Sequence, residues 1–270
     1  MSESFREIAP AKLNLALHIR GKLPDGRHAI ETIFAFCTDG DRLTLLRPAQ
    51  GNSTVENSGP FGGDVGRPNL VSSAWRAMAE AAQIESDAGF IVEKNLPVSA
   101  GLGGGSADAG ATLRLITAAF SLDPEIAQRV APTLGSDVPA CLLSLPMRGE
   151  GSGDRLTPID MSELSDTPVL LVNPRVPLST ADVFARWDGV DRGPLGDWRD
   201  GRNDLEAPAI ALVPQIETVL AWLKVQPGMT FARMSGSGAT CFALFEGEEA
   251  RDAAANSIPR EWWHLTTFLR

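Results

Sequence analysis

The chain predicts an α+β fold, and three observations predict it. Strand patterns of period two do not alternate strictly with helical ones, a glycine loop empties directly into an alanine-rich helical pattern, and 270 residues suffice for one large domain or two lobes.

Taken in order, Leu13, Leu15, Leu17 and Ile19 alternate with Lys12, Asn14, Ala16 and His18, the period of a strand with one buried face. Lys12 and Asn14 therefore point the same way. Pro24-Asp-Gly26 signals a turn, and 29–36 return as a second strand, so 12–36 predict a hairpin with a longish loop. Residues 43–46 continue the strands. The stretch 50–68, rich in Gly, Asn, Ser and Pro, predicts an exposed excursion, followed by a helix over 70–82. Phe90, Ile91 and Val92 mark a strand leading into the glycine loop and a helix over 107–119. Asp123 with Pro124 opens a second helix to about residue 130. The turn 134–139 follows, then an apolar strand over 140–145. Beyond 149–153 the pattern predicts a strand over 169–172, helices near 181–187 and over 206–223, and strands over 229–234 and 240–245. A last helix and a strand over 265–269 complete it. The glycine-rich segment 149–153 sets the expected boundary near residue 154: 1–154 as an N-terminal lobe carrying the phosphate loop, 155–270 as a C-terminal lobe.

Composition narrows the partners. A formal charge of −10 and a pI near 4.8 disfavour sequence-independent nucleic-acid binding, which needs clustered Lys and Arg. An anionic small-molecule substrate must then be held by a local site. Cys37, Cys141 and Cys241 are scattered in apolar surroundings without C-x-x-C spacing, as in a reduced cytoplasmic protein. The first eight residues lack the apolar run of a signal peptide, and no segment approaches the roughly 20 apolar residues of a membrane span. Neither a nucleic acid nor a membrane is the expected partner.

The segment Pro97, Val98, Ser99, Ala100, Gly101, Leu102, Gly103, Gly104, Gly105, Ser106 and Ala107 reads as a phosphate cradle. Its glycines let backbone amides approach an anion, and the following helix aims unpaired N–H groups and its positive dipole end at the loop. No Gly-Lys-Ser/Thr ends it, so it is not a Walker A loop, and it lacks the third glycine of a dinucleotide fingerprint. Asp108 either helps hold Mg²⁺ or compensates the helix dipole.

Phosphoryl transfer to a hydroxyl needs positioned phosphates, neutralised charge and a group to manage the acceptor proton. Asp137, in Gly-Ser-Asp-Val-Pro139, is a carboxylate beside a proline-fixed corner, and Lys12 is a candidate cation. Each has a plainer reading: Asp137 as a turn residue making an Asx bond, Lys12 as the solvated side of an edge strand. The segment Arg233-Met-Ser-Gly-Ser-Gly-Ala239 reads as a tight hairpin with a bulge, or as close backbone approach to a ligand or to the first glycine loop. His18 and His264 show no ligand spacing.

Together the segments 9–15, 24–28, 96–109, 134–139, 149–151, Asn203-Asp204 and 235–238 resemble the GHMP kinase superfamily of small-molecule kinases, and within it those that act on CDP-methylerythritol. The likeness covers nearly the whole chain. Its most specific parts are the triple glycine followed by Ser-Ala-Asp108 and the Asp25-Gly-x-His28 turn after Ala-Lys-Leu-Asn14. The resemblance implies a two-lobed GHMP-kinase-like fold with the active site in the interlobe cleft. It implies ATP with Mg²⁺, phosphorylation of the 2-hydroxyl of the methylerythritol moiety, Asp137 as base and Lys12 as its partner. It also implies that His28 and Phe184 grip the cytidine end, with Asn14 and Arg27 among the substrate residues, and that adenine lies near Asn69 and Lys94. The superfamily members of this kind commonly carry tyrosine before the turn histidine, whereas Arg27 stands here and tyrosine is absent throughout. A guanidinium either stacks on the base or points to solvent and leaves Phe184 to stack alone. The rival readings are a homoserine- or mevalonate-type kinase, which gives no reason for the Asp-Gly-x-His turn, and a non-catalytic nucleotide-binding protein, which gives none for Asp137 and Lys12.

Overall fold

A computed structural model describes residues 3–47, 54–66 and 69–270. The chain divides into two compact units, the first built from 1–11, 39–98 and 103–144, the second from 12–38, 99–102 and 145–270. This interleaved division differs from a single cut near residue 154. Strands β1 (Glu3–Lys22) and β2 (His28–Arg47) form the two arms of the expected hairpin, longer than the pattern implies, and each contributes to both units.

In the first unit, the end of β2 pairs antiparallel with β4 (Gly89–Glu93), placing Leu43 opposite Val92, and β4 pairs parallel with β3 (Val55–Ser58). The residues 54–66 of the expected excursion are mostly exposed, as the composition implies, while 50–53 and 67–68 lie outside the described residues. Among the described residues this unit also holds the α-helices α1 (Leu70–Ala81), α2 (Gly104–Ala119), α3 (Pro124–Leu134) and α4 (Val138–Leu143). Asn69 caps α1 by accepting from Val71 N at 2.8 Å, and Asp123 caps α3 with Pro124 in its first turn. Helix α2 begins three residues earlier than expected, at Gly104, because the glycines themselves form its first turn. Its small residues face its neighbours closely: a Cβ on Gly110 would stand 2.6 Å from the Cys141 carbonyl carbon in α4.

Helix α4 corrects the strand expected over 140–145. A short apolar run does not distinguish strand from buried helix, and here Pro139 in the first turn settles it, since its fixed φ suits a helix start.

In the second unit, the first half of β2 pairs with β5 (Met147–Gly151), which pairs with β6 (Arg155–Pro158), so the segment 149–153 is part of a β-hairpin. A four-stranded antiparallel sheet follows in the order β10 (Trp263–Phe268), β7 (Pro168–Asn173), β9 (Cys241–Phe245), β8 (Met229–Met234). Every residue of β7 is buried. Helices α5 (Thr180–Ala185), α6 (Glu206–Leu212), α7 (Gln215–Lys224) and α8 (Glu248–Asn256) complete this unit, and Ile216, Val219, Leu220 and Leu223 of α7 join Leu170, Val172 and Ala243 in its core. The single helix expected over 206–223 is two, because Pro214 removes an amide donor and sets its predecessor Val213 at φ −134°, ψ 84°.

Candidate active site

The glycine loop expected to cradle phosphates takes its shape from its glycines. Gly103 caps α2 from the left-handed region at φ 63°, and Ala107 N donates to Gly103 O at 2.7 Å, closing the first helical turn. The amides of Gly104, Gly105 and Ser106 precede that bond and have no helical acceptor. Val98, Ser99 and Gly105 are exposed, while Pro97, Gly101, Gly103, Gly104 and Ser106 are half-buried and Ala100, Leu102 and Ala107 are buried. Gly101, at φ 77°, lies so close to the second glycine segment that a Cβ would stand 2.4 Å from Ser235 O.

Of the readings of that second segment, close approach to the first glycine loop is seen, while the connection from β8 to β9 spans residues 235–240 and the bulge lies at Met229/Phe231, away from it. The segment meets residues 99–102: Ser235 Oγ donates to Gly101 O at 2.9 Å and Thr240 N to Ala100 O at 3.1 Å. Asn203 fastens it by donating from Nδ2 to Met234 O at 2.9 Å and Gly236 O at 2.7 Å. Asp204 accepts from Ile19 N at 2.7 Å, tying the Asn-Asp pair to β1. Arg233, the half-buried first residue of that segment, to which the sequence pattern assigns no role of its own, donates to Leu15 O, Trp198 O and Gly201 O.

Lys12 is not the solvated side of an edge strand. Residues 9–19 are buried without a break, and Lys12 is 4% exposed, its Nζ donating to Asn14 Oδ1 at 3.0 Å and lying 4.8 Å from the Phe34 ring centre. The alternation in β1 therefore separates two buried faces, one apolar and one carrying polar groups. Lys12 N donates to Leu102 O at 2.9 Å, and Asn14 N to Ser235 Oγ at 3.3 Å, so the strand bearing the lysine holds both glycine segments.

His28 and Phe184 stand together, ring centres 4.9 Å apart, and the Trp187 ring lies edge-on to the imidazole at 5.5 Å. Trp187 was not singled out in the sequence, and it lies beyond the end of α5, so no helical spacing marks it. Burial and the charge of Lys22 hold His28 below its usual pKa, so its imidazole is neutral near pH 7 and offers one donor and one acceptor. Arg27 takes the solvent-facing alternative: its side chain is 57% exposed and is engaged by Asp25 at 2.7 Å and by Ser152 Oγ at 2.8 Å.

In the first unit, Lys94 is buried between Asp41 and Asp108, bonded to both. Burial opposes its charge, but the two carboxylates outweigh that and hold it above the usual lysine value. Asp108 lies beyond the first turn of α2 and is raised to about 8, first by burial and further by Asp41, against the pull of Lys94. Asp41 Oδ1 accepts from Asn95 N at 2.6 Å and Leu96 N at 2.8 Å, fixing the chain as it enters the glycine loop. Asn69 spends its oxygen on the α1 cap and donates to Asn57 Oδ1 at 3.4 Å. Asp137 is half-buried at the N-cap position of α4, and its side chain makes no capping hydrogen bond to that helix. Among the described residues no group of three or more His, Cys, Asp or Glu side chains is gathered as for a metal ion, and no helix is long and apolar enough to cross a membrane.

Known proteins match this chain along nearly its whole length. The family described as GHMP kinases N terminal domain matches residues 69–144, and GHMP kinases C terminal matches 191–264. The chain is 49% identical over 275 residues to the 4-diphosphocytidyl-2-C-methyl-D-erythritol kinase of Novosphingobium aromaticivorans, covering 99% of this chain and 93% of the relative. It is 48% identical over 280 residues to the enzyme of the same name from Rhizorhabdus wittichii, covering 98% and 94%. A crystal structure of 4-(cytidine 5'-diphospho)-2C-methyl-D-erythritol kinase superposes with a TM-score of 0.84 at 31% identity, covering 98% of this chain and 99% of that one. A homoserine kinase from Cytophaga hutchinsonii shares the fold at 16% identity, with a TM-score of 0.69 over 98% and 95%. The chain belongs to the GHMP kinases and, within them, to the family of the 4-diphosphocytidyl-2-C-methyl-D-erythritol kinases.

Proposed function

We propose that this ATP-dependent small-molecule kinase transfers the γ-phosphoryl group of ATP to the 2-hydroxyl of 4-diphosphocytidyl-2-C-methyl-D-erythritol, in the cytoplasm. The observation that carries the substrate assignment is the His28–Phe184 pair, which sets a flat apolar ring 4.9 Å from a neutral imidazole. That combination suits a pyrimidine, which is bound through its face by stacking and through its edge by one donor and one acceptor. A homoserine or mevalonate acceptor has no ring for it to hold.

In this reading the first-turn amides of α2 bind the phosphates, and Asn69 and Lys94 lie by the adenine. Asp137 takes the proton of the acceptor hydroxyl as its oxygen bonds to the γ-phosphorus and the bond from that phosphorus to the bridging oxygen of the β-phosphate breaks; ADP leaves, and the carboxyl group later gives the proton to solvent. Lys12 offsets the negative charge that builds on the oxygens. Asn14 holds Lys12 by its side chain, and Arg27 lies at the rim of the cytidine site. Mg²⁺ accompanies ATP. The ion would supply charge neutralisation on the phosphates; among the described residues no group of three or more His, Cys, Asp or Glu side chains gathers to hold it, and Asp108 is bonded to Lys94.

The test is ADP release from ATP with the cytidine-diphosphate acceptor, in the parent and in Asp137→Asn. The variant should lose about two to four orders of magnitude in kcat while keeping its affinity for ATP, the usual contribution of a general base. Near-parental turnover would leave Asp137 a structural residue.

A further inference from the structure

We infer that Thr32 is a positioning residue for phosphoryl transfer, aiming Lys12 through the side-chain amide of Asn14. The inference rests on the reading in which Lys12 serves the reacting oxygens. Thr32 lies on β2, fully buried, where a valine would fill nearly the same volume, so the hydroxyl is the feature that needs a reason.

Its partners supply one. Thr32 Oγ1 donates to Ala16 O at 2.7 Å and lies 2.8 Å from Asn14 Nδ2. A carbonyl only accepts, so the single hydroxyl proton is committed to Ala16, and toward Asn14 the oxygen can act only as an acceptor. The amide must then turn its NH₂ to Thr32 and its Oδ1 the other way, where Lys12 Nζ donates at 3.0 Å. An ammonium only donates and demands the same orientation from the opposite end. The chain from Lys12 through Asn14 and Thr32 to Ala16 thus has one direction throughout. A flipped amide would set N–H donors against the ammonium.

Burial makes that direction matter. Lys12 is 4% exposed and Asn14 2%, so water does not replace a lost partner there. A lysine stem is flexible, and its ammonium is placed only by the acceptors around it. Removing the Thr32 hydroxyl frees the amide to turn, and the ammonium loses a fixed acceptor.

The experiment measures ADP release, per folded molecule, for Thr32→Val, Thr32→Ser, Asn14→Leu, the Asn14→Leu/Thr32→Val double variant and Lys12→Met, with thermal midpoints alongside. Thr32→Val should lower kcat about tenfold with KM for ATP within about twofold, and Thr32→Ser should keep at least about half of the parental kcat. Adding Thr32→Val to Asn14→Leu should cost less than about twofold more, because members of one hydrogen-bonded chain are not additive. Losses that multiply in the double variant, or Thr32→Ser as poor as Thr32→Val, would show a role in packing alone and overturn the inference. An inactive Lys12→Met with Thr32→Val at parental turnover also overturns it, leaving the role of Lys12 intact. A Lys12→Met variant at parental turnover would remove that role and the inference with it.

Discussion

At the residue scale, function rests on side chains whose partners decide their charge. In the proposed reading Phe184 contributes binding to the ground state, so Phe184→Ala should raise KM for the cytidine substrate about tenfold with kcat changed by less than about threefold. Steady-state kinetics check this, and an unchanged KM would take Phe184 out of the site. Asp108 carries a different prediction. Its pKa lies near about 8 in the folded chain against an ordinary 3.8, so the native state holds this proton more firmly than the unfolded chain does. The stabilisation is complete below the unfolded value and is lost as pH rises through the folded one. The thermal midpoint should fall as pH is raised from about 7 to about 9, and Asp108→Asn, which imitates the protonated acid, should flatten that slope. A slope unchanged in the variant would place the titration elsewhere. Lys12 and Asp137 were readable from the sequence as residue types in a pattern, and His28 and Phe184 only through the family resemblance. What it could not supply was burial: period two marks two different faces of a strand, and only the packing around β1 shows that the face bearing Lys12 is also closed.

At the element scale, helix α2 packs among its neighbours and, in the proposed reading, presents its first-turn amides to the phosphates, and its glycines divide between the two tasks. Gly110 has no room, since its Cβ would meet the backbone of Cys141 and Leu142. Gly110→Ala should therefore destabilise the protein by about 1–3 kcal/mol in urea unfolding, the usual cost of overpacking. Gly105 has room, its nearest neighbour for a Cβ being Leu70 Cδ1 at 3.4 Å. Gly105→Ala should leave stability within about 1 kcal/mol, because a Cβ in a helix also lowers the entropy lost on folding. Its cost should appear in KM for ATP, where the new methyl crowds the phosphates. Equal unfolding midpoints for the two variants would contradict this division. The expected elements that failed did so where local signals conflict. The run 140–145 is apolar enough for a strand, but Pro139 starts a helix before it. The pattern over 206–223 is helical throughout, but Pro214 interrupts it.

At the scale of the whole molecule, the α+β class followed from the order of patterns along the chain, because antiparallel hairpins and amphipathic helices announce themselves locally. The grouping of segments into compact units did not. Residues 12–38 and 99–102 join 145–270 through pairings such as Ile30 with Gly151 and Thr240 N with Ala100 O, which join residues far apart in the sequence and leave no local periodicity. The same limit explains Trp187, whose contact with His28 is visible only after folding. The central claim is the acceptor, and ADP release from ATP and Mg²⁺ with CDP-methylerythritol, methylerythritol phosphate, homoserine and mevalonate offered in parallel tests it most directly. Turnover confined to the cytidine-diphosphate compound is the predicted result; comparable turnover with homoserine or mevalonate would contradict it.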